Sequence, residues 1–218
     1  MKTMIAPSIL SADFSEMGAA IEKIEKAGAD LVHCDVMDGV FVPNITFGPK
    51  MIKDIRKKTK LPLDVHLMIV KPERYIRQFA EAGADYITIH YEATEKLSET
   101  LDDIRAHGVK SGLVINPDTD VNVIKPYLPK CDMVLIMSVF PGFGGQKYIE
   151  GSTEKLQAAK CLIEQSGYDI RLEIDGGITA ANVSEAISAG ADTIVAGSAV
   201  FGAEDTAAAI ASLRKRLK

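Results

Sequence analysis

His33 and Asp35 lie two residues apart in the apolar run Leu31 to Met37, which breaks at Asp38-Gly39. Alternate side chains of a β-strand share a face, so this imidazole and this carboxylate point the same way. Burying both is costly unless they are paired with each other or used by something else. Other apolar runs end in comparable residues. Asp64, His66 and Met68 share a face of one; Ala6-Pro7-Ser8, Met137-Ser138 and Glu173-Ile174-Asp175 close three more. His33, Asp35, His66 and Asp175 make a set of two imidazoles and two carboxylates. Such a set suits one divalent transition metal ion, with zinc, iron(II), manganese and cobalt all compatible. An oxygen-liganded magnesium site would not need the histidines. No organic cofactor is expected, and Cys34 alternates away from the pair and reads as core.

Three glycine-rich stretches suggest phosphate. They are Pro141-Gly142-Phe143-Gly144-Gly145-Gln146, Asp175-Gly176-Gly177-Ile178 and Ala196-Gly197-Ser198-Ala199. Glycine lets a backbone approach an anion closely and present N–H groups to it. The chain carries a net charge of −5, so counter-charge for an anion has to be built locally. With no basic stripe outside the end of the last helix, nucleic acid is not an expected partner. The apolar runs are of strand length, which argues against a membrane span, and the N-terminus lacks a signal-peptide pattern. Three cysteines without a paired spacing fit a reducing compartment, and a cytoplasmic location is expected.

These residues need elements that bring them together. Ala-Gly-Ala-Asp occurs at 27–30, 82–85 and 189–192, each time between a helical pattern and an apolar run, as a recurring βα unit would have it. The runs predict eight strands, at 4–9, 30–36, 63–68, 86–90, 110–115, 133–137, 171–175 and 193–196. Amphipathic stretches alternate with them, at 14–26, 50–58, 73–82, 95–107, 121–128, 151–166, 180–188 and 205–217. Continuous apolar strand cores indicate parallel strands buried on both faces. Eight such units in 218 residues predict an α/β fold, a single (β/α)₈ TIM barrel spanning 1–218, with an open doubly wound sheet as the alternative. In a barrel the chemistry gathers at the carboxyl ends of the strands, and phosphate commonly sits after strands seven and eight.

Ser8 in Ala-Pro-Ser-Ile-Leu, His33 and Asp35 in His-Cys-Asp-Val-Met-Asp-Gly, Phe41 to Asn44, His66 in Asp-Val-His-Leu-Met, Pro-Gly-Phe-Gly-Gly-Gln and Asp-Gly-Gly-Ile together resemble the ribulose-phosphate 3-epimerase family. The resemblance runs from the first strand to the last. It implies a (β/α)₈ barrel of the ribulose-phosphate binding type that interconverts D-ribulose 5-phosphate and D-xylulose 5-phosphate. It also implies that His33, Asp35, His66 and Asp175 hold the metal, and that Asp35 and Asp175 exchange the substrate proton. Ser8 and His66 are implied to contact the sugar, while Gly142, Phe143, Gly144, Gly145, Gly176, Gly177, Gly197 and Ser198 surround its tail and phosphate. A homo-oligomer is the expected assembly. Phe140 and Glu150 depart from the family pattern, where a polar residue and a proline are more usual. Allulose-6-phosphate 3-epimerases share most of these motifs and are the nearest rival.

The chemistry also follows from the groups themselves. Inverting a carbon beside a ketone removes a proton from one face and returns one to the other through a planar enediolate. Two acid/base groups are required, one starting ionised and the other protonated, and a metal can act as Lewis acid on the oxygens. Met37, Met68 and Met137, at strand ends, could give the reacting plane a soft, acceptor-poor lining. A metal-dependent hydrolase would more usually offer His-x-His on one strand, and a related decarboxylase a lysine where Met37 stands. A sugar-phosphate binding protein would leave the two acid/base groups without a use. The loop Phe41 to Asn44 fits either a lid or a subunit contact.

Overall fold

Strand boundaries follow the apolar runs closely. The computed structural model describes residues 2–217, with β1 at Met4–Pro7, β2 at Val32–Met37, β3 at Leu63–Met68, β4 at Tyr86–His90, β5 at Lys110–Ile115, β6 at Met133–Met137, β7 at Arg171–Asp175 and β8 at Thr193–Ala196. All pair in parallel, in the order β1-β8-β7-β6-β5-β4-β3-β2. The two ends of that series meet. Ser8 bridges His33 in parallel, and Ile5 O accepts the amides of Asp30 and Leu31, so the sheet is a closed barrel and the open doubly wound alternative is excluded. β1 is shorter than expected because Ile9–Ser11 turn into a 3₁₀ helix, whose first turn is capped by Ser8 Oγ accepting from Leu10 N.

Helices fill the crossovers: α1 at Met17–Lys26, α2 at Pro49–Arg56, α3 at Ile76–Ala82, α4 at Leu97–Ala106, α5 at Ser152–Ser166, α6 at Val183–Ser188, α7 at Ser198–Phe201 and α8 at Thr206–Lys215. Two departures have plain causes. The stretch expected to be helical at 121–128 is 3₁₀ over Val121–Lys130, because Pro126 and Pro129 lack the N–H groups an α-helix needs. The extra turn α7 follows β8 directly, starting from Gly197.

Outward-facing strand residues such as Ile5, Val65, Ile87, Leu113, Val134 and Ile194 pack with helix residues such as Ile21, Ile52, Phe79, Leu101 and Leu156 into the main apolar core. Cys34 belongs to this core, as its alternation predicts, and burial raises its thiol pKa. The barrel interior is different in kind. A small apolar layer of Ala6, Leu31, Tyr86, Met133 and Val195 closes one end. Beyond it His33, Asp64, His66, Thr88, His90 and Glu173 are all fully buried.

The recurring Ala-Gly-Ala-Asp word has a structural purpose. Asp30 accepts the Ile5 amide at 2.9 Å, Asp85 the Leu63 amide at 2.8 Å and Asp192 the Leu172 amide at 3.3 Å. Asp132, outside that word, accepts the Ser111 amide in the same way at 3.0 Å. Each aspartate precedes an even strand and ties down the start of the odd strand before it. Each is also paired with an arginine: Arg214, Arg56, Arg171 and Arg105 respectively. The repeating unit is therefore a pair of βα modules, and its polar clamp lies at the amino ends of the strands, away from the carboxyl ends where the candidate residues gather.

Candidate active site

β2 presents His33 and Asp35 to the barrel interior, β3 presents His66 and β7 ends in Asp175. One donor atom from each of these four lies within 4.8 Å of all the others. His33 Nε2 is 3.3 Å and His66 Nδ1 3.2 Å from the same oxygen, Asp35 Oδ1, and Asp175 Oδ2 is 3.9 Å from His33 Nε2. Donors bound to one ion at about 2.0–2.2 Å sit roughly 3–3.5 Å from each other, so this spacing is close to that of a metal centre. Among the described residues His33 Nε2 has no hydrogen-bond partner, a buried nitrogen aimed into the cluster. The donor set and this unpartnered nitrogen both fit a divalent transition metal.

Ser8 Oγ donates to the other Asp35 oxygen at 2.5 Å. Thr46 steadies the strand end by donating to Asp35 O and accepting from Met37 N. Ser138 Oγ lies 2.9 and 2.7 Å from the carbonyls of Asp175 and Gly176 and shares its one proton between them, which steadies the backbone at Asp175.

Electrostatics separates the two acids. Burial resists charge on Asp35, but the adjacent His33 and His66 imidazoles outweigh it and hold the carboxyl well below the usual carboxylate range. Burial, reinforced by repulsion from Asp35, pushes Asp175 up to about 6. Burial also opposes charge on His33, yet Asp35 and Asp64 lift its pKa well above the ordinary value. Beneath the cluster, Asp64 Oδ2 lies 2.6 Å from His33 Nδ1. Glu173 sits beside them, 3.8 Å from the same nitrogen, with both oxygens unpartnered. Burial and the neighbouring Asp64 push its pKa well up.

A cavity of about 320 Å³ opens above the cluster. Asp35, Asp175, Ser8 and the three methionines Met37, Met68 and Met137 line its floor, and its rim is made by Gly142, Phe143, Gly144, Gly145, Gly176, Gly177, Gly197 and Ser198. All three glycine-rich stretches thus meet at one place. His33 and His66 lie behind the lining, fully buried. Gln146 also borders the cavity, but its amide donates to the carbonyls of Phe140 and Phe143 and braces the loop instead. Phe140 and Glu150, the two departures from the family pattern, are not among the lining residues. The Phe41 to Asn44 loop joins the rim: Asn44 Nδ2 donates to Gly142 O at 2.8 Å, and the Phe41 ring packs on His90.

Several contributors escape the sequence reading. Asn182 holds the Gly177 carbonyl at 3.0 Å and borders the cavity. Lys147 is the single Lys or Arg among its described lining residues. His90, the last residue of β4, lies 2.8 Å from His66. The rule that reads strand ends, applied to β4, would have found it.

Comparison with known proteins agrees with this geometry. Residues 4–201 match the model of the ribulose-phosphate 3 epimerase family. The ribulose-phosphate 3-epimerase of Synechocystis sp. is 51% identical over 97% of this chain and 93% of its own length, and that of Bacillus subtilis 49% identical over 96% and 97%. The chloroplastic ribulose-5-phosphate-3-epimerase of Arabidopsis thaliana is 47% identical over 97% of this chain and 76% of its own. Among solved structures, a complex of KGPDC from Streptococcus mutans superposes with a TM-score of 0.76 at 14% identity, covering 99% of this chain and 97% of that one. The 3-hexulose-6-phosphate synthase of Salmonella typhimurium gives 0.72 at 18% identity, covering 98% of each. Those two show a shared barrel fold alone. The strand-end cluster, the glycine rim and the near full-length similarity place the chain in the ribulose-phosphate 3-epimerase family, a family of isomerases.

Proposed function

We propose that the barrel, acting as one unit over its whole length, epimerises carbon 3 of D-ribulose 5-phosphate to give D-xylulose 5-phosphate, with Asp35 and Asp175 as the two acid/base groups. The observation that carries this reading is the meeting of those two carboxyl groups with His33 and His66 within 4.8 Å, on the floor of a glycine-rimmed cavity. His33, Asp35, His66 and Asp175 would hold one divalent metal ion. When bound, that ion supplies Lewis-acid stabilisation of negative charge developing on the substrate oxygens.

The remaining chemistry belongs to the side chains. Asp35, ionised, takes the carbon 3 proton, and Asp175, protonated, returns one to the opposite face. Each turnover leaves the pair exchanged, so the reverse reaction uses the same groups. Before an ion binds, the two acids already differ in this sense. Ser8 holds Asp35 and can reach the sugar, and the methionines offer no strong hydrogen-bond acceptor to the reacting plane. The phosphate is read by backbone at Gly142 to Gly145, Gly176, Gly177, Gly197 and Ser198, where short α7 starts beside the rim. A neighbouring surface carries exposed Val40, Ile45, Val70 and Tyr75, which supports association with a second copy of the chain.

Incubating metal-loaded protein with ribulose 5-phosphate in deuterated water tests the reading. Deuterium at carbon 3 together with xylulose 5-phosphate is expected. Label at carbon 1 would indicate aldose-ketose isomerisation, and an absence of exchange would overturn the proposal.

A further inference from the structure

His66 turns its two nitrogens to different neighbours. Nδ1 faces Asp35 Oδ1 at 3.2 Å, inside the four-residue cluster, and Nε2 lies 2.8 Å from Nε2 of His90. The two rings meet edge to edge through these nitrogens, with centroids 5.0 Å apart and planes 22° from parallel, and the Phe41 ring covers His90 from another side at 4.8 Å. Both histidines are wholly excluded from solvent. At 2.8 Å one of the facing nitrogens must carry a proton and the other must accept it.

The far side of His90 decides which. Its Nδ1 lies 3.3 Å from Glu92 Oε2. A carboxylate only accepts, so Nδ1 of His90 carries the hydrogen and, in a neutral ring, Nε2 has the lone pair. The facing nitrogen of His66 then donates, which leaves His66 Nδ1 bare toward the cluster. Glu92 is itself fixed: Oε1 accepts the Asn116 amide at 2.9 Å and the Thr119 hydroxyl. The loop supplying those donors is pinned from α5, where Lys155 Nζ donates to the carbonyls of Asn116, Pro117 and Thr119.

We propose that His90, held by Glu92, is a positioning residue that fixes the His66 tautomer so that Nδ1, not Nε2, is presented to the metal. This rests on His66 being a ligand, as read above. The two histidines of the cluster are thereby set in opposite senses. His33 is tied through Nδ1 to Asp64 and offers Nε2; His66 is tied through Nε2 to His90 and offers Nδ1. Partners of this kind hold ligand rings in register, and their loss typically lowers metal affinity about 10–100-fold.

The test uses Zn(II) as a diamagnetic probe on the whole protein and reads binding, not turnover. Two-bond ¹H–¹⁵N correlation spectra of the loaded wild type should show His66 metal-bound at Nδ1 with hydrogen on Nε2, and His90 with hydrogen on Nδ1. Zinc affinity, from chelator competition, is then compared between His90→Phe and His90→Gln. Phenylalanine keeps the ring's bulk but cannot accept from His66; glutamine loses the ring but keeps an acceptor. Affinity should fall about 10–100-fold for Phe and be largely retained for Gln. Metal bound at His66 Nε2, wild-type affinity in His90→Phe, or an equal loss in both variants would overturn the proposal while leaving the four-ligand reading intact. A wild type that binds no zinc would overturn both. The spectra of the wild type decide the tautomer even where a variant fails to fold.

Discussion

His33 Nδ1 stands 2.6 Å from Asp64 Oδ2, on the opposite side of the ring from the atom that faces Asp35 and Asp175. This pairing fixes which nitrogen is free for a ligand bond, and it comes from the barrel itself, because β2 and β3 are in register with His33 beside Asp64 and Asp35 beside His66. Asp64→Asn can turn either its oxygen or its amide toward His33, so the ring is no longer held in one sense. Divalent metal affinity is expected to drop about 10–100-fold with the fold retained. Chelator competition followed by circular dichroism checks both halves of that statement.

Asp175→Asn and Asp35→Asn should each abolish epimerisation, since an amide neither takes nor returns a carbon-bound proton. The two variants should differ in a half-reaction. With xylulose 5-phosphate and ribulose 5-phosphate offered separately in deuterated water, each variant keeps at most exchange initiated by the acid that remains. Full epimerisation in either variant, followed by NMR, would remove the two-base scheme.

The rim of the cavity predicts that anion recognition depends on backbone shape more than on charge. Gly177 has φ +64, and a Cβ there would fall 2.4 Å from Tyr148 N and 2.9 Å from Gln146 O, so Gly177→Ala must push the two glycine-rich loops apart. Lys147→Ala removes the one lining Lys or Arg among the described residues and leaves the loop path alone. KM for the sugar phosphate should rise far more in Gly177→Ala than in Lys147→Ala, with inorganic phosphate inhibition weakening in parallel. The reverse order would show that the lysine, not the backbone, carries the phosphate.

How much of this could be read from the chain is itself explained by the physics. β3 through β8 are legible to the residue because parallel strands buried on both faces leave largely apolar runs bounded by polar or turn residues. The four converging residues were legible because polar groups inside such runs stand out. His90 ends β4 and is open to the same strand-end reading, and Glu173 stands two residues before Asp175 on β7, but neither type nor spacing tells that the one backs His66 and the other sits behind His33. The 3₁₀ segment over Val121–Lys130 shows the opposite failing: its apolar spacing suits a helix, and only Pro126 and Pro129 contradict it. The aspartate clamp was visible as a repeat in three places, while its fourth member, Asp132, lacks the preceding glycine-containing word.

Glu92 gives a pH dependence whose sign can be worked out. Burial opposes its charge, but hydrogen bonds from His90, Thr119 and the Asn116 amide prevail and bring it down to about 2 from 4.5. A carboxyl lowered on folding adds stability above its unfolded pKa and loses it as pH falls toward the folded value. Glu92→Gln should therefore be less stable than wild type at about pH 7, and the gap should narrow at about pH 3. Urea unfolding at the two pH values measures it; a gap that is constant with pH would assign the effect to packing.

Asp85 offers the cleanest test of the clamp at the amino ends of the strands. It accepts the Leu63 amide at 2.8 Å and pairs with Arg56 Nη1 at 2.9 Å, while Arg56 also donates to the carbonyls of Thr59 and Leu61. Asp85→Ala leaves the start of β3 without its acceptor and Arg56 without its counter-charge. Leaving such groups unpaired costs about 1–3 kcal/mol. In a chain of this size each kcal/mol lowers Tm by roughly 2–4 °C. The surface ion pair alone would contribute about 0–1 kcal/mol. A loss near the upper figure would therefore assign most of the effect to the Leu63 amide. Arg56→Ala separates the two contributions, and the double variant should cost less than the sum of the singles because the partners share one network. Metal affinity and KM should be unchanged in both, since the clamp and the His33-Asp35-His66-Asp175 cluster lie at opposite ends of the strands.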